Sequence, residues 1–382
     1  MCKRSAHPLP VIISVVGTRP EAIKMAPVVR ALAERPGLDQ ELVLTGQHRD
    51  LEKMFDLPAH AVHQLDVNLR EQTAGEICEA LREALCRHLS RRRPDLVLVQ
   101  GDTSSALAGA LAAKDCGIKV GHVEAGLRSG DLLQPWPEEG NRVRIDAISD
   151  ILFAPSDAAA RNLAAEQQVR GAVHVTGNSG IDALFHARLL CPAVPSADQR
   201  RTVLVTCHRR ENQGAELRKI AAALKRMVRE LPLQIVLPLH PNPHLRRSVR
   251  QLLGQEPNIA LIEPVDHARM VCLMDSAWLI LTDSGGLQEE GPALGKPVLV
   301  LRNTTERGEA LESENLELVG TGPERIFAAV SNLLYDPQHY ARMSRPSFPF
   351  GHGGAAPKIA DIVEDFLTPK ATELAPLTLI GE

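Results

Sequence analysis

Short apolar runs alternate along the chain with longer stretches in which apolar residues recur every three to four positions. The short runs predict strands at Val11–Val16, Glu41–Thr45, Leu96–Gln100, Lys119–Val123 and Ile151–Ala154. They resume at Thr202–Thr206, Gln234–Leu237, Ala260–Ile262, Trp278–Thr282, Val298–Leu301 and Glu317–Val319. The longer stretches, such as Glu21–Glu34, Thr73–Ser90, Ala215–Glu230 and Pro323–Leu334, predict helices. Strands that are apolar at nearly every position have both faces buried, which implies parallel sheets covered by helices on each side. The alternation is interrupted once, at Cys191–Arg201, where two prolines and no periodicity mark a linker. The fold class expected is therefore α/β, with two Rossmann-like domains facing a central cleft. They are assigned to residues 1–177 and 178–355. In such sheets ligands sit beyond the carboxyl ends of the strands. The first ten residues and the tail after Phe366 read as loosely held termini.

Composition narrows the function without naming it. The chain has 382 residues, of which 44% are hydrophobic and 24% charged, so it has the make-up of a globular protein of two ordinary domains. Lys plus Arg (43) against Asp plus Glu (47) leaves a net charge of −4, with no basic excess to attract nucleic acid. Aromatics, at 3%, are too few for base-stacking platforms. No stretch has the run of about 20 apolar residues that spans a bilayer. The opening Met-Cys-Lys-Arg and the run that follows pass directly into Thr18-Arg19-Pro20-Glu21 without a cleavage site, so they are read as a strand, not a signal peptide. Seven scattered cysteines with no C-x-x-C pair suggest reduced, packed thiols in a cytoplasmic protein.

Candidate chemistry gathers at strand ends. Val11–Gly17 runs into Thr18-Arg19-Pro20-Glu21, a capping box with proline in the first helical turn. A helix amino terminus there offers N–H groups to an anion, with Arg19 and Lys24 as cations; an ordinary capped helix would carry the same pattern. A stronger version follows Trp278–Thr282. In Asp283-Ser284-Gly285-Gly286, the paired glycines allow a diphosphate close to the backbone and Ser284 adds a donor. Glu290 is placed for a ribose diol, and Arg307, after the next strand, is within reach of the same pocket. No Walker loop and no strand-linked G-x-G-x-x-G is present, which disfavours P-loop and nicotinamide chemistry. Neither H-x-x-x-H nor H-E-x-x-H occurs, so no metal is expected.

Three further acidic positions, Asp102, Glu124 and Glu138, fall at strand ends or in the loops after them. Singly, each is a cap or loop carboxylate; together at the ligand edge of one domain they suit acid–base work. His208, ending the first strand of the second domain beside Arg209 and Arg210, suits an anionic leaving group. His240 in Leu-His-Pro-Asn-Pro is equally a ligand or a loop cap. His48, His122 and His244 carry no assignment.

Taken together, these residues carry a resemblance. Gly17–Pro27, Thr45–Arg49, Gly101–Thr103, Gly121–Arg128, Pro135–Glu139, His208–Asn212, Asp283–Glu290, Gly295–Leu299 and Thr304–Arg307 occur in the order of the blocks of the bacterial non-hydrolysing UDP-N-acetylglucosamine 2-epimerases, and closely resemble them. The resemblance implies a glycosyltransferase-B arrangement, with a last helix at about 356–368 crossing back onto the first domain. It implies UDP held by Ser284, Gly285, Gly286, Glu290 and Arg307, with Arg19 near the diphosphate, and catalysis by Asp102, Glu124, Glu138 and His208. It further implies no cofactor, a homodimer, and a role in surface polysaccharide synthesis. A regulatory second UDP-N-acetylglucosamine would fall to Gln47, Arg70, Arg209 and His240, although Asp50 stands where a second glutamine is common. The chain departs from the family at Glu263–Met270, Ser347–Gly353 and Asn141–Asp146. A hydrolysing epimerase, an epimerase of 2,3-diacetamido-uronate sugar nucleotides, a retaining glycosyltransferase and an inactive sugar-nucleotide sensor are the alternatives.

Overall fold

The computed structural model describes residues 9–368, apart from 70–71, 133–134, 193–199, 210–211 and 306. Both predicted termini therefore lie largely outside the described residues. The first half runs β1 (Val11–Val16), α1 (Arg19–Ala33), β2 (Asp39–Leu44), β3 (Val62–Gln64), α2 (Ala74–Arg92) and β4 (Leu96–Gln100). It continues with α3 (Ser104–Asp115), β5 (Lys119–Val123), α4 (Glu138–Ile148), β6 (Ile151–Ala154), α5 (Asp157–Ala165) and β7 (Ala172–Val175). A connecting helix, α6 (Ser179–Leu189), precedes the second half: β8 (Arg201–Thr206), α7 (Ala215–Glu230), β9 (Leu233–Pro238), α8 (Pro243–Leu253) and β10 (Ile259–Ile262). Then come α9 (His267–Ser276), β11 (Leu279–Thr282), α10 (Gly285–Ala293), β12 (Val298–Val300), α11 (Gly308–Glu312) and β13 (Leu316–Leu318). Three helices complete the described residues: α12 (Pro323–Tyr335), α13 (Pro337–Met343) and α14 (Ala355–Leu367).

The strands form two sheets, ordered β3-β2-β1-β4-β5-β6-β7 and β10-β9-β8-β11-β12-β13, in which every pairing is parallel. This is the doubly wound α/β class that the apolar runs imply. Strand order reverses between β1 and β4 in one sheet and between β8 and β11 in the other, and at such points the connecting loops part to leave a crevice. The loops after those four strands carry Thr18 and Arg19, Asp102, His208, and Ser284 to Gly286. Helix α1 shows why the layers hold. Ala22, Met25, Val28, Val29 and Leu32 recur at helical spacing and are all buried against the first sheet. Each large aliphatic among them contributes about 1.5–3 kcal/mol by leaving water. Helix α14 completes this layer by returning Ala356, Ile359, Ala360 and Val363 to the same core.

Two expectations need correction. The strands β3 and β7 add to those the sequence predicts: both are short edge strands with exposed or half-exposed positions, so neither shows an apolar run. The expectation of wholly reduced cysteines also fails, because Cys191 and Cys272 form a disulfide with Cα atoms 5.3 Å apart. Cys191 follows α6 and Cys272 lies within α9, two helices packed in one core, and sequence spacing gives no sign of that pairing. Cys78, Cys86, Cys116 and Cys207 are free thiols, as expected. No described helix is long and apolar enough to cross a membrane.

Candidate active site

The amino-terminal turn of α1 is built as its sequence predicts. Thr18 caps the helix, and the Glu21 carboxylate returns to accept from the Thr18 N–H at 2.6 Å and the Gly17 N–H at 3.2 Å. Glu21 also accepts from the Thr103 hydroxyl at 2.8 Å, tying the loop after β1 to the loop after β4. Burial lifts the Glu21 carboxyl to about 7, against the pull of those hydrogen bonds. Gly17 sits in the tightest place of this switch point: a Cβ there would lie 1.9 Å from the Ser105 Oγ. Arg19 is exposed, and its N–H donates to His48 Nδ1 at 3.1 Å.

One turn further, Lys24 reaches the end of β5. Its ammonium is bonded to Glu124, and the Glu124 carboxylate also accepts from Gln100 Nε2 at 2.9 Å. Glu124 has φ of 70°, a left-handed conformation that costs a non-glycine residue about 1–3 kcal/mol. Strain of this kind, at the mouth of the sheet, is typical of a functional position. Burial raises the Glu124 carboxyl above its ordinary range; the Lys24 ammonium opposes this and the nearby Glu289 charge adds to it. Lys24 is also raised, because two carboxylates outweigh its own burial.

Glu289 comes from the other domain, 3.7 Å from Lys24 Nζ. It also accepts from Arg307 Nε at 2.7 Å and from Asn178 Nδ2 at 2.7 Å. The Arg307 guanidinium is thereby laid over the first residue of α10: a Cβ on Gly285 would stand 2.8 Å from its central carbon. Gly285 and Gly286 open that helix; Ser284 stands at the N-cap position without a side-chain capping bond, and its N–H donates to Thr282 Oγ1 at 2.9 Å. The result is a helix amino terminus with bare backbone and an arginine alongside, a natural seat for phosphate oxygens. Glu290, one residue on, lies 3.3 Å from His267 Nε2.

Asp102 and Glu138 lie at the mouth of the first sheet. Asp102 is bonded to Arg142, which also holds Glu139 at 2.7 Å; Asn141 Nδ2 donates to the Asp102 carbonyl at 2.8 Å. Helix α4 begins at Glu138, after the cis bond Trp136–Pro137. The Glu138 Oε2 is buried with no hydrogen-bond partner among the described residues. A carboxyl oxygen left unsatisfied inside a protein is costly, and substrate is the natural partner. Beneath Asp102, the buried His122 bridges Asp146 Oδ1 at 2.5 Å and the Gly101 carbonyl at 2.8 Å.

On the opposite wall the fully buried Asp283 organises the loop after β8. It accepts from the His208 and Arg209 N–H groups, each at 2.9 Å, and lies 3.2 Å from His208 Nδ1. His208 stacks on His240 with ring centres 5.7 Å apart. Burial, followed by the His208 charge, lowers the His240 pKa. Gln47 accepts from the Ser105 hydroxyl at 2.7 Å, and Arg70 lies outside the described residues.

Glu289, Asp283, Arg142 and Asn178 join the candidate site only in the folded chain. For Glu289 a signal existed: it lies four residues after Gly285, on the same helix face, whereas Glu290 is about 100° further round. The described residues hold one grouping with metal-ligand chemistry, Glu41, His63 and His88, and none of the three belongs to the cleft residues above.

Two Rossmann-like domains, with carboxylates at the mouth of one sheet and a glycine-opened helix at the mouth of the other, have the arrangement of the glycosyltransferase-B class. Residues 30–364 match the family model described as UDP-N-acetylglucosamine 2-epimerase, and the chain belongs to that family. It is 42% identical over 376 residues to the UDP-N-acetylglucosamine 2-epimerase of Escherichia coli K12, covering 93% of this chain and 98% of that one. The Bacillus subtilis strain 168 protein of the same name is also 42% identical, covering 92% of this chain and 94% of its own. Among solved structures, the Neisseria meningitidis UDP-GlcNAc 2-epimerase bound to UDP-GlcNAc superposes with a TM-score of 0.86 at 37% identity, covering 93% of this chain and 100% of that one.

Proposed function

We propose that this chain is an isomerase that interconverts UDP-N-acetylglucosamine and UDP-N-acetylmannosamine by reversible inversion at C2, without hydrolysis. The reading is supported chiefly by one observation: Lys24, Glu124, Glu289 and Arg307 link the acid–base wall to the glycine seat of α10 in one ion-pair chain.

The C2 proton of the sugar is not adjacent to a carbonyl, so it is not acidic in the ground state. In the proposed route a carboxylate takes that proton while the anomeric C–O bond breaks; the C2–H electrons become the C1=C2 double bond and UDP leaves with the C–O pair. The product of this anti elimination is a 2-acetamidoglucal. UDP then adds back to C1 as C2 is protonated from the other face. Asp102, aimed by Arg142, and Glu138, with its unsatisfied oxygen, take the two faces of C2. Glu124 orients the sugar. The departing diphosphate is carried by Ser284, Gly285, Gly286, Arg307 and His208, with Arg19 at the rim, and Glu290 takes the ribose. Water would trap C1, so the cleft must close around the intermediate. The proposed second sugar-nucleotide site uses Gln47, Arg209 and His240, and the active form is a homodimer that feeds surface polysaccharide synthesis in the cytoplasm.

Proton NMR with UDP-N-acetylglucosamine in D2O tests the route. The expected result is a UDP-N-acetylmannosamine signal with deuterium entering C2, lost in Asp102→Asn. Free N-acetylmannosamine and UDP would instead identify a hydrolase, and no exchange at C2 would remove the substrate assignment.

A further inference from the structure

Glu41, His63 and His88 come from three separate elements, β2, β3 and α2, yet each directs one ligand atom to a common point. All three atoms lie within 4.8 Å of one another, and His63 Nε2 stands 3.6 Å from Glu41 Oε2. Val43 pairs with His63 in the parallel register, so Glu41 and His63 share one face of the sheet. It is the face that α2 covers, since Val43 packs with Leu81, Leu85 and Leu89 of that helix. The grouping lies toward the carboxyl end of α2, away from the loops that form the cleft.

An ordinary histidine–carboxylate ion pair does not account for it. Glu41 is buried, and its Oε2 has no hydrogen-bond partner among the described residues; the same is true of His88 Nε2. Two orphaned polar atoms pointed at one spot are expensive unless something sits between them. The rings of His63 and His88 are 5.0 Å apart and tilted by 54°, so they are not stacked on each other. The other carboxylate oxygen, Glu41 Oε1, is fixed by Arg92 Nε at 2.6 Å, which leaves Oε2 as the free ligand atom. Carboxylates that bind metals are commonly held by an outer partner in this way.

We propose that Glu41, His63 and His88 bind a zinc-class divalent cation that clasps the edge strand β3 to β2 and α2. Two imidazoles and one carboxylate suit zinc. Ligand bonds of about 2.0–2.2 Å in a tetrahedron put donor atoms roughly 3.4 Å apart; the separations here, 3.6 Å from His63 to Glu41 and at most 4.8 Å for any pair, close by rotation of the three side chains. The fourth position falls to water, on the side where the His63 side chain is 38% exposed. The role is structural: β3 has three residues and one neighbouring strand, β2, and a metal tie replaces the packing that it lacks.

The test uses the full-length protein, stripped with chelator and titrated with Zn2+ and Co2+. One equivalent per chain is expected, with a Co2+ visible spectrum of a four-coordinate nitrogen–oxygen site and a raised Tm. His63→Gln and His88→Gln are expected to weaken zinc at least tenfold in a competition assay with a chromophoric chelator, and to abolish the Tm shift. Binding that persists unchanged in both variants overturns the assignment, as does a wild-type protein with no saturable Co2+ band. The cobalt spectrum needs only wild-type protein, so it decides the matter even where a variant fails to fold.

Discussion

At the scale of single residues, the site depends on side chains that are absent as much as on those present. Gly285 leaves room for the Arg307 guanidinium, and an added methyl would stand 2.8 Å from its central carbon. Gly285→Ala must therefore push the arginine aside at a cost of about 1–3 kcal/mol. The expected outcome is a ten- to hundredfold loss in kcat/KM for UDP-N-acetylglucosamine, carried mainly by KM, with Tm lowered by a few degrees. Glu21 makes a second prediction, about pH. Its carboxyl is raised by burial from 4.5 to about 7 in the folded chain, so the native state holds this proton more tightly than the unfolded one. Its contribution to stability is then fully present below about 4.5 and is lost as pH rises through about 7. At about 1.4 kcal/mol per pH unit, the two values span roughly 3 kcal/mol. Glu21→Gln, which can still cap, is expected to flatten the dependence of urea-unfolding free energy on pH between 5 and 8. An unchanged slope would mean that the buried carboxyl is not the group responsible.

Among elements, helix α14 is held by a contact far from it in sequence. The Asp182 carboxylate of α6 accepts from the N–H groups of Gly354, Ala355 and Ala356 at 3.0, 3.1 and 3.2 Å, replacing the cap that Gly354 cannot supply. Asp182→Ala is expected to cost about 1–2 kcal/mol and to speed amide exchange across Ala356–Val363 before the rest of the molecule, as hydrogen-exchange mass spectrometry would show. Legibility in the sequence follows the same division between local and distant causes. The capping box Thr18–Glu21, the apolar central strands and the glycine turn at Gly285 are signalled by neighbours in the chain. Edge strands β3 and β7 are not, because half-exposed strands carry no continuous apolar run. Nor is Glu289 as the hub between Lys24, Asn178 and Arg307, since its partners lie up to hundreds of positions away. The described residues named by resemblance gather at the two sheet mouths, while the link between the walls becomes visible only in three dimensions.

For the whole molecule, the two domains are joined by more than the chain that connects them. Glu289 spans from α10 to Lys24, Glu309 receives the Ser156 hydroxyl, and α6 packs on both α1 and α9. The Cys191–Cys272 disulfide braces this region across a separation of 81 residues. Its removal by Cys191→Ser is expected to lower stability by roughly 2–4 kcal/mol, with reductant giving the same fall in wild-type Tm and none in the variant. A non-reducing peptide map that finds both thiols free would refute the brace. Helix α14 has the widest consequence. Because Ile359, Ala360 and Val363 fill the core beneath β1 and α1, the first domain is finished by residues translated after the whole of the second. During synthesis the emerging amino-terminal half must wait with an open apolar groove, and that core closes only when α14 leaves the ribosome. Separately made pieces should reproduce that order: residues 1–177 alone would be sticky, and a peptide of residues 355–368 supplied in trans would quiet them.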